Sequence, residues 1–346
     1  MGRIDWTKAL LSMECKPYSV KDDPFEDIVV GLEPSSDLRR RNLGQIMTYA
    51  ELSFEKQHRT HHYTIVFFGR NARIVRWDRA GAIVTPRIDY KTRAGGIIIA
   101  RFIWRYFRLS AEARGHDTTA SPVVRGSADY DYMKQVATTV LPYGEHARKL
   151  FEDSLKNPEA TWWKLWVDDR EFLVGEPQFV AAGVCGRGTR GYVALETCES
   201  AAAQRLKVES EKSGGGEQQD GGAKQKQAQS PFVWLKDCWR VAHEGMEREG
   251  DILATLNKGD VPYVPHLVCH SDIPGQQTLT KALWESQNPD SAAGKCPFKT
   301  HQHYRMVSRE VGLPMSQFNS GLELIFLISM CILGKLYLIS DMTRLM

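Results

Sequence analysis

Gly186, Gly188, Gly191 and Val193 stand in the pattern G-x-G-x-x-G-x-V. Glycines in such a glycine-rich loop let backbone N–H groups approach phosphate oxygens with no side chain in the way. Lys236 closes the apolar run Val233-Trp234-Leu235-Lys236, where an ammonium between strand residues can pair with the α- and β-phosphates of a nucleotide. Glu249 is followed at three, four and seven residues by Ile252, Leu253 and Leu256. It therefore stands at the margin of an apolar helix face, where a carboxylate can hold that lysine. Each feature also has a plainer reading: a glycine-bearing turn, an edge lysine that discourages aggregation, a solvated acidic face. Glu244 and Glu247 compete with Glu249 for the acidic role.

A second constellation lies near the start of the chain. Asp5, Glu14 and Lys16 supply two carboxylates and an amine, and in one strand Glu14 and Lys16 point the same way because side chains alternate. Such a set can hold Mg²⁺ and activate a water for phosphodiester cleavage. Gln45 and Tyr49, four apart on a helix, would border it. The basic run Arg39-Arg40-Arg41 and the cluster Lys56, Arg59, His61 and His62 can meet a phosphate backbone.

These residues need elements to carry them. Residues 6–16 read as extended chain. Leu43, Met47, Ala50 and Phe54 recur on one face of a helix over 38–57. Tyr63–Phe68, Arg73–Trp77 and Ala82–Ile88, punctuated by Gly69-Arg70-Asn71 and Asp78-Arg79-Ala80-Gly81, predict an antiparallel meander with a helix at Ile97–Phe107 packed on it. The next strands are expected at 162–167, 171–174, 179–184, 192–195 and 232–235. A helix over 244–256 follows, then strands near Leu267 and Met306. The fold class is α+β. The expected division is an N-terminal α+β domain over 1–109, a polar connection with a helix over 110–160, and a second domain over 161–315. A Gly-, Gln-, Lys- and Glu-rich insert over 203–230 interrupts that domain and is expected to be disordered. An apolar helix over 316–346 ends the chain.

Composition narrows the classes. A net charge of +3 leaves no general affinity for nucleic acid, so any such contact must be local. The seven cysteines form no C-x-x-C pair, which argues against a disulfide framework or zinc ribbon and for reduced thiols in the cytoplasm or nucleus. The N-terminus has no apolar signal core. The longest charge-free run of the last helix, Leu324–Gly334, falls short of the ~20 residues that span a bilayer.

Taken together, Gly-Arg-Gly-Thr-Arg (186–190), Leu-Lys-Asp-Cys-Trp-Arg (235–240), Glu-Gly-Asp-Ile-Leu (249–253), Cys-His-Ser-Asp-Ile (269–273) and Arg-Met-Val-Ser-Arg-Glu-Val-Gly-Leu-Pro-Met (305–315) resemble the fungal-type protein kinases. Residues 67–81 and Arg-Gly-His-Asp-Thr-Thr (114–119) fit the same family. The resemblance implies a kinase upper lobe at 161–315 that binds ATP. Lys236 and Glu249 would be its ion pair and catalytic-position residues, with Gly186, Gly188, Gly191 and Val193 as the nucleotide roof. The arrangement Asp5…Glu14-x-Lys16…Gln45-x-x-x-Tyr49 is similar to the restriction-endonuclease-like core, with Asp5 and Glu14 as its metal ligands. Departures from the kinase pattern are equally plain. No His-Arg-Asp, Asp-Phe-Gly or Ala-Pro-Glu occurs in the sequence, and these supply the proton acceptor and the Mg²⁺ ligands of phosphoryl transfer. The expectation is a pseudokinase-like chain that stops inside the first lower-lobe helix and binds ATP weakly, with Mg²⁺ as the accompanying ion. It would transfer no phosphate, would work with a protein partner, and would not enter a membrane. The alternatives are a Mg²⁺-dependent nuclease-like domain and an interaction module without chemistry.

Overall fold

The computed structural model describes residues 4–17, 20–25, 34, 36–142, 144–202, 204, 230–289 and 296–344, with side chains up to 334. The first sheet is built around a hairpin, β2 (His62–Phe68) and β3 (Asn71–Asp78), extended by β4 (Gly81–Val84) and by β5 (Ile88–Asp89) on β3. The meander expected there is present. At its other edge β1 (Ser12–Lys16) runs parallel to β2, a pairing that requires a crossover, and α1 (Asp37–Lys56) provides it. Ser36 caps α1 by accepting from the Arg39 N–H, with Asp37 in the first turn and Lys56 in the last, as the helix dipole favours. Strand alternation sorts the core into two faces. Val66, Phe68, Val75 and Trp77 meet Ile46, Ala50 and Phe54 of α1. Ala72, Ile74, Tyr63 and Phe67 meet Ile99, Phe102 and Ile103 of α2 (Arg93–Tyr106).

The second sheet runs through β6 (Ala120–Pro122), β7 (Trp163–Val167), β8 (Arg170–Val174), β10 (Arg190–Glu196), β11 (Phe232–Val241), β13 (His301–Ser308) and β12 (Leu267–Gln277), in that spatial order. The short β9 (Phe179–Val180) joins β10. Every pair is antiparallel. Past β10 the sheet continues through β8 and β7, both expected, and then β6. It curls back on itself, with the Asp168 N–H donating to the Ser271 hydroxyl (2.9 Å). Leu165, Val167 and Phe172 thereby close on Tyr192, Ala194, Leu235 and Val307. The opposite face is covered by α3 (Ala128–Thr138), α4 (Glu145–Ser154) and α5 (Glu249–Lys258). The architecture is α+β.

Three boundaries differ from the sequence reading. The strand expected over 179–184 is only Phe179–Val180, because residues 183–186 leave the sheet to pack on the first one. The helix expected from Glu244 starts at Glu249, and Glu244 and Glu247 lie exposed before it. The extended run over 6–16 is a strand only from Ser12. The insert over 203–230 falls, apart from Gln204 and Ser230, outside the described residues. After α6 (Thr280–Gln287), the chain ends in α7 (Gly321–Arg344), whose Leu322, Ile325, Phe326 and Ile332 are exposed. Among the described residues no helix is long and apolar enough to cross a membrane.

Candidate functional site

Alternation on β11 sends Trp234, Lys236 and Cys238 to the helix-covered face of the second sheet. Glu249, the first residue of α5, meets Lys236 there: its carboxylate accepts from Nζ at 2.8 and 2.5 Å. Arg187 of the glycine loop approaches the same carboxylate at 3.6 Å. The group is reachable from solvent, with the Lys236, Glu249 and Arg187 side chains 20%, 41% and 58% exposed. Gly250 explains how α5 comes this close. A Cβ there would lie 2.2 Å from the His270 ring. The Gly250 N–H, free at a helix start, donates to the Tyr304 hydroxyl at 2.8 Å. Below the pair, Cys238 packs with Leu253, Tyr304 and Met306, and burial pushes its thiol up to about 11.

The glycines divide into two kinds. Gly186 (φ 101°) and Gly188 (φ 47°) adopt left-handed backbone that suits glycine, and they lie in the loop itself. That loop is fastened to the first sheet. The Gly186 N–H donates to the Arg79 carbonyl (2.8 Å), and the Gly183 N–H donates to Glu51 Oε1 (2.6 Å). Arg79 Nη1 donates to the carbonyls of Gly183 (3.0 Å) and Val184 (3.1 Å). Burial, with the charge of Arg190 adding to it, brings the Arg79 guanidinium down to about 10. On the other side, the Trp239 N–H donates to the Arg187 carbonyl at 2.7 Å. Gly191 and Val193 belong instead to β10. Gly191 stands opposite Lys236, where a Cβ would be 2.3 Å from the Trp234 indole. Val193 stands opposite Trp234 and is 1% exposed, enclosed by Met133, Ala137, Ala147, Phe151 and Val311. No neighbouring residue in the chain marks this position as covered.

The N-terminal constellation assembles in part. Lys16 Nζ lies 2.9 Å from Glu14 Oε1 and donates to Gln45 Oε1 at 2.5 Å. The Tyr49 hydroxyl donates to Glu14 Oε2 (2.8 Å), and Gln45 Nε2 donates to the same oxygen (3.1 Å). Trp6 stacks on Tyr49 at 5.5 Å. Burial raises the Tyr49 hydroxyl. Asp5 is held instead by the Thr7 N–H (3.0 Å) and by Lys8 (3.0 Å). Among the described residues no group of three or more His, Cys, Asp or Glu is placed to hold a metal ion. The basic cluster needs a correction. Arg59, His61 and His62 are buried, with Arg59 donating to Gln57 Oε1 (2.8 Å) and to the Arg114 and Ala9 carbonyls (3.1 Å each). Arg59 and His62 hold the N-terminal segment, through the Ala9 carbonyl and the Ser12 hydroxyl, and none of the three can lie along a nucleic-acid backbone.

A family model described as fungal protein kinase matches residues 16–208. This chain belongs to the fungal protein kinase family. No curated protein and no solved structure matches it. The family match takes in the glycine loop and ends before Lys236 and Glu249.

The fungal kinase chain also carries a buried charge cluster that the sequence reading missed. Arg305, fully buried, donates to Asp117 Oδ2 (2.5 Å), Asp237 Oδ1 (3.1 Å), the Thr119 hydroxyl (2.9 Å) and the Trp166 carbonyl (2.9 Å). His303 Nε2 lies 2.6 Å from Asp237 Oδ1, and His58 Nδ1 lies 3.5 Å from Oδ2. Arg190 joins through His58 (3.1 Å) and the Gln57 carbonyl (2.8 Å). Burial works to raise both carboxyls. Arg305 and His303 outweigh it and hold Asp117 and Asp237 below the usual carboxylate range. The signal was present: Asp117, Asp237 and Arg305 all fall within segments that carry the family resemblance.

Proposed function

We propose that this member of the fungal protein kinase family grips the phosphates of ATP with Lys236, held by Glu249, beneath the loop that carries Gly186 and Gly188. The carrying observation is the two-oxygen contact between Lys236 and Glu249. The strand order β9-β10-β11-β13-β12, with one helix presenting an acid to β11, supports reading residues 161–315 as a kinase upper lobe. Arg187 adds a second cation beside the pair, so two positive groups face any anion that enters. ATP arrives with Mg²⁺, which neutralises phosphate charge. The residues in hand bind and position; a proton acceptor in a His-Arg-Asp loop and an Asp-Phe-Gly aspartate do not occur in this sequence. The activity proposed for this chain is therefore nucleotide binding without phosphoryl transfer. Titration with a fluorescent ATP analogue tests it. Lys236→Met should weaken binding at least about ten-fold, the worth of one charge-assisted contact. Equal affinity in the two proteins refutes the reading, and labelled phosphate transferred to any substrate refutes its second half.

The Glu14–Lys16–Gln45–Tyr49 network favours a second reading for residues 1–109, a restriction-endonuclease-like core. With Asp5 bound to Thr7 and Lys8, a single carboxylate remains at the network, and two are wanted to hold Mg²⁺. We read the block as a retained fold serving contact with a protein partner. Nicking of supercoiled DNA in Mg²⁺, abolished by Glu14→Gln, would overturn that and make it a nuclease.

A further inference from the structure

The face that carries Lys236 is full on both sides. Toward Cys238 it is filled by α5, which must stay because it brings Glu249 to the lysine. Toward Trp234 and Val193 it is filled by α3 and α4. Phe151 stacks obliquely on Phe232 with centroids 5.1 Å apart, and Met133, Ala137 and Ala147 close over Val193. A nucleotide with its phosphates at Lys236 needs room for its base along this same face, about 7 Å on at the Trp234–Val193 pair. Only the α3–α4 side can yield without undoing the lysine's own partner.

We propose that the α3–α4 hairpin is a built-in cap on the base half of the nucleotide site, and that ATP binds by displacing it. This rests on the reading of Lys236 as the phosphate grip. The two helices are tied to each other: Arg148 bonds the last turn of α3 through the Ala137 carbonyl and braces α4 through Glu145 (2.5 Å) and Glu152 (3.1 Å). One latch is His146, an exposed residue whose Nε2 lies 2.6 Å from the Val311 carbonyl, in the connector after β13; elsewhere Asp129 pairs with Lys164 (2.8 Å) and the Leu150 carbonyl accepts from Gln178 Nε2 (3.2 Å). The latch and the glycine loop lie at different ends of the face. The phosphate end is therefore open, with Arg187 and Lys236 reachable, while the base end is shut.

When binding requires a minor open state, apparent affinity falls by the fraction that is open. Removing the latch with His146→Ala should raise that fraction about five-fold, the effect of one hydrogen bond. The test compares ATP with tripolyphosphate, which has the phosphates and no base, on the full chain by calorimetry and amide exchange. The cap predicts that His146→Ala tightens ATP about five-fold and leaves tripolyphosphate unchanged. It also predicts that ATP, and not tripolyphosphate, speeds exchange over residues 128–154. Equal ATP affinity in both proteins, or ATP binding with residues 128–154 still protected, overturns the cap. Loss of tripolyphosphate binding in Lys236→Met would then leave the phosphate grip standing. If Lys236→Met binds tripolyphosphate as the parent does, the grip fails and the cap fails with it.

Discussion

Lowering the pH from 7.5 to 5.5 should destabilise this chain strongly, and most of the cause lies in one short segment. His58, His61 and His62 fall within one stretch of five residues and all are buried. Burial, joined by the charge of Arg190, pulls His58 down to about 4, against the nearby Asp237. Burial and the charges of Arg76 and Arg59 take His61 to about 3, with Asp78 opposing. Burial with Arg59 and the neighbouring His61 and His116 takes His62 to about 3. The ordinary value is 6.5, so at pH 5.5 the unfolded chain binds a proton at nearly all three and the folded chain at almost none. Stability therefore rises with pH through this window and is lost as pH falls below 6.5. At pH 5.5 the loss is about 1.4 kcal/mol per histidine and about 4 kcal/mol for three, whatever the exact folded values, provided they stay well below 5.5. For a chain of 346 residues that corresponds to a fall in Tm of about 6 °C. The buried carboxylates do not blur the window. Asp117 and Asp237 are held low in the fold, so their contribution is intact above the ordinary carboxylate value of 3.8 and is lost only below it. Urea unfolding at the two pH values measures the difference directly. A midpoint that stays constant between pH 7.5 and 5.5 would show that these imidazoles titrate normally, and the buried position assigned to them would be wrong.

Other substitutions probe other parts of the structure. Arg305→Met removes the cation shared by Asp117 and Asp237 and leaves two buried carboxylates without it, so urea unfolding should show a loss of about 3–5 kcal/mol. A loss below about 1 kcal/mol would be the mark of a solvated pair. Gly191→Ala places a methyl 2.3 Å from the Trp234 ring and should cost about 1–3 kcal/mol, visible as a lower thermal midpoint. Phe151→Ala empties the fully buried centre of the hairpin face and should cost about 3–5 kcal/mol; a smaller loss would mean that α4 does not pack on the sheet.

What was legible in the sequence was local. The face formed by Leu43, Met47, Ala50 and Phe54 located α1, because helical spacing repeats within a few residues. Strand alternation on β11 and helical spacing on α5 left Glu244, Glu247 and Glu249 all open as partners of Lys236; the family resemblance pointed to Glu249, the residue that meets the lysine. What could not be read was decided by partners far away. Nothing near Val193 announces Met133 or Phe151, and nothing near Ser12 announces a parallel partner at Thr64. Arg59, His61 and His62 read as a solvated basic cluster because charged residues seldom go inside. They are buried here because Ala9, Arg114 and Gln57 supply acceptors for the guanidinium, while Ser12 supplies a hydroxyl 3.1 Å from His62 Nε2.

The family match runs from the first sheet into the second as far as β10, and the glycine loop gives a physical reason why the two belong together. A loop of glycines has little side-chain substance with which to fix its own shape, and glycine loses the most backbone freedom on ordering. Here the ordering contacts come from elsewhere. Arg79, in the turn between β3 and β4, takes the Gly186 N–H on its carbonyl and returns two hydrogen bonds to Gly183 and Val184. Glu51 of α1 takes the Gly183 N–H, and Val184 completes the core between α1 and the first sheet. Without the first sheet those backbone groups would go unpaired and Val184 would be bare. The loop above Lys236 is therefore as much a product of the N-terminal block as of the strands it connects. Any change that loosens Arg79 should be felt at the Lys236–Glu249 pair even though Arg79 lies beside the other sheet.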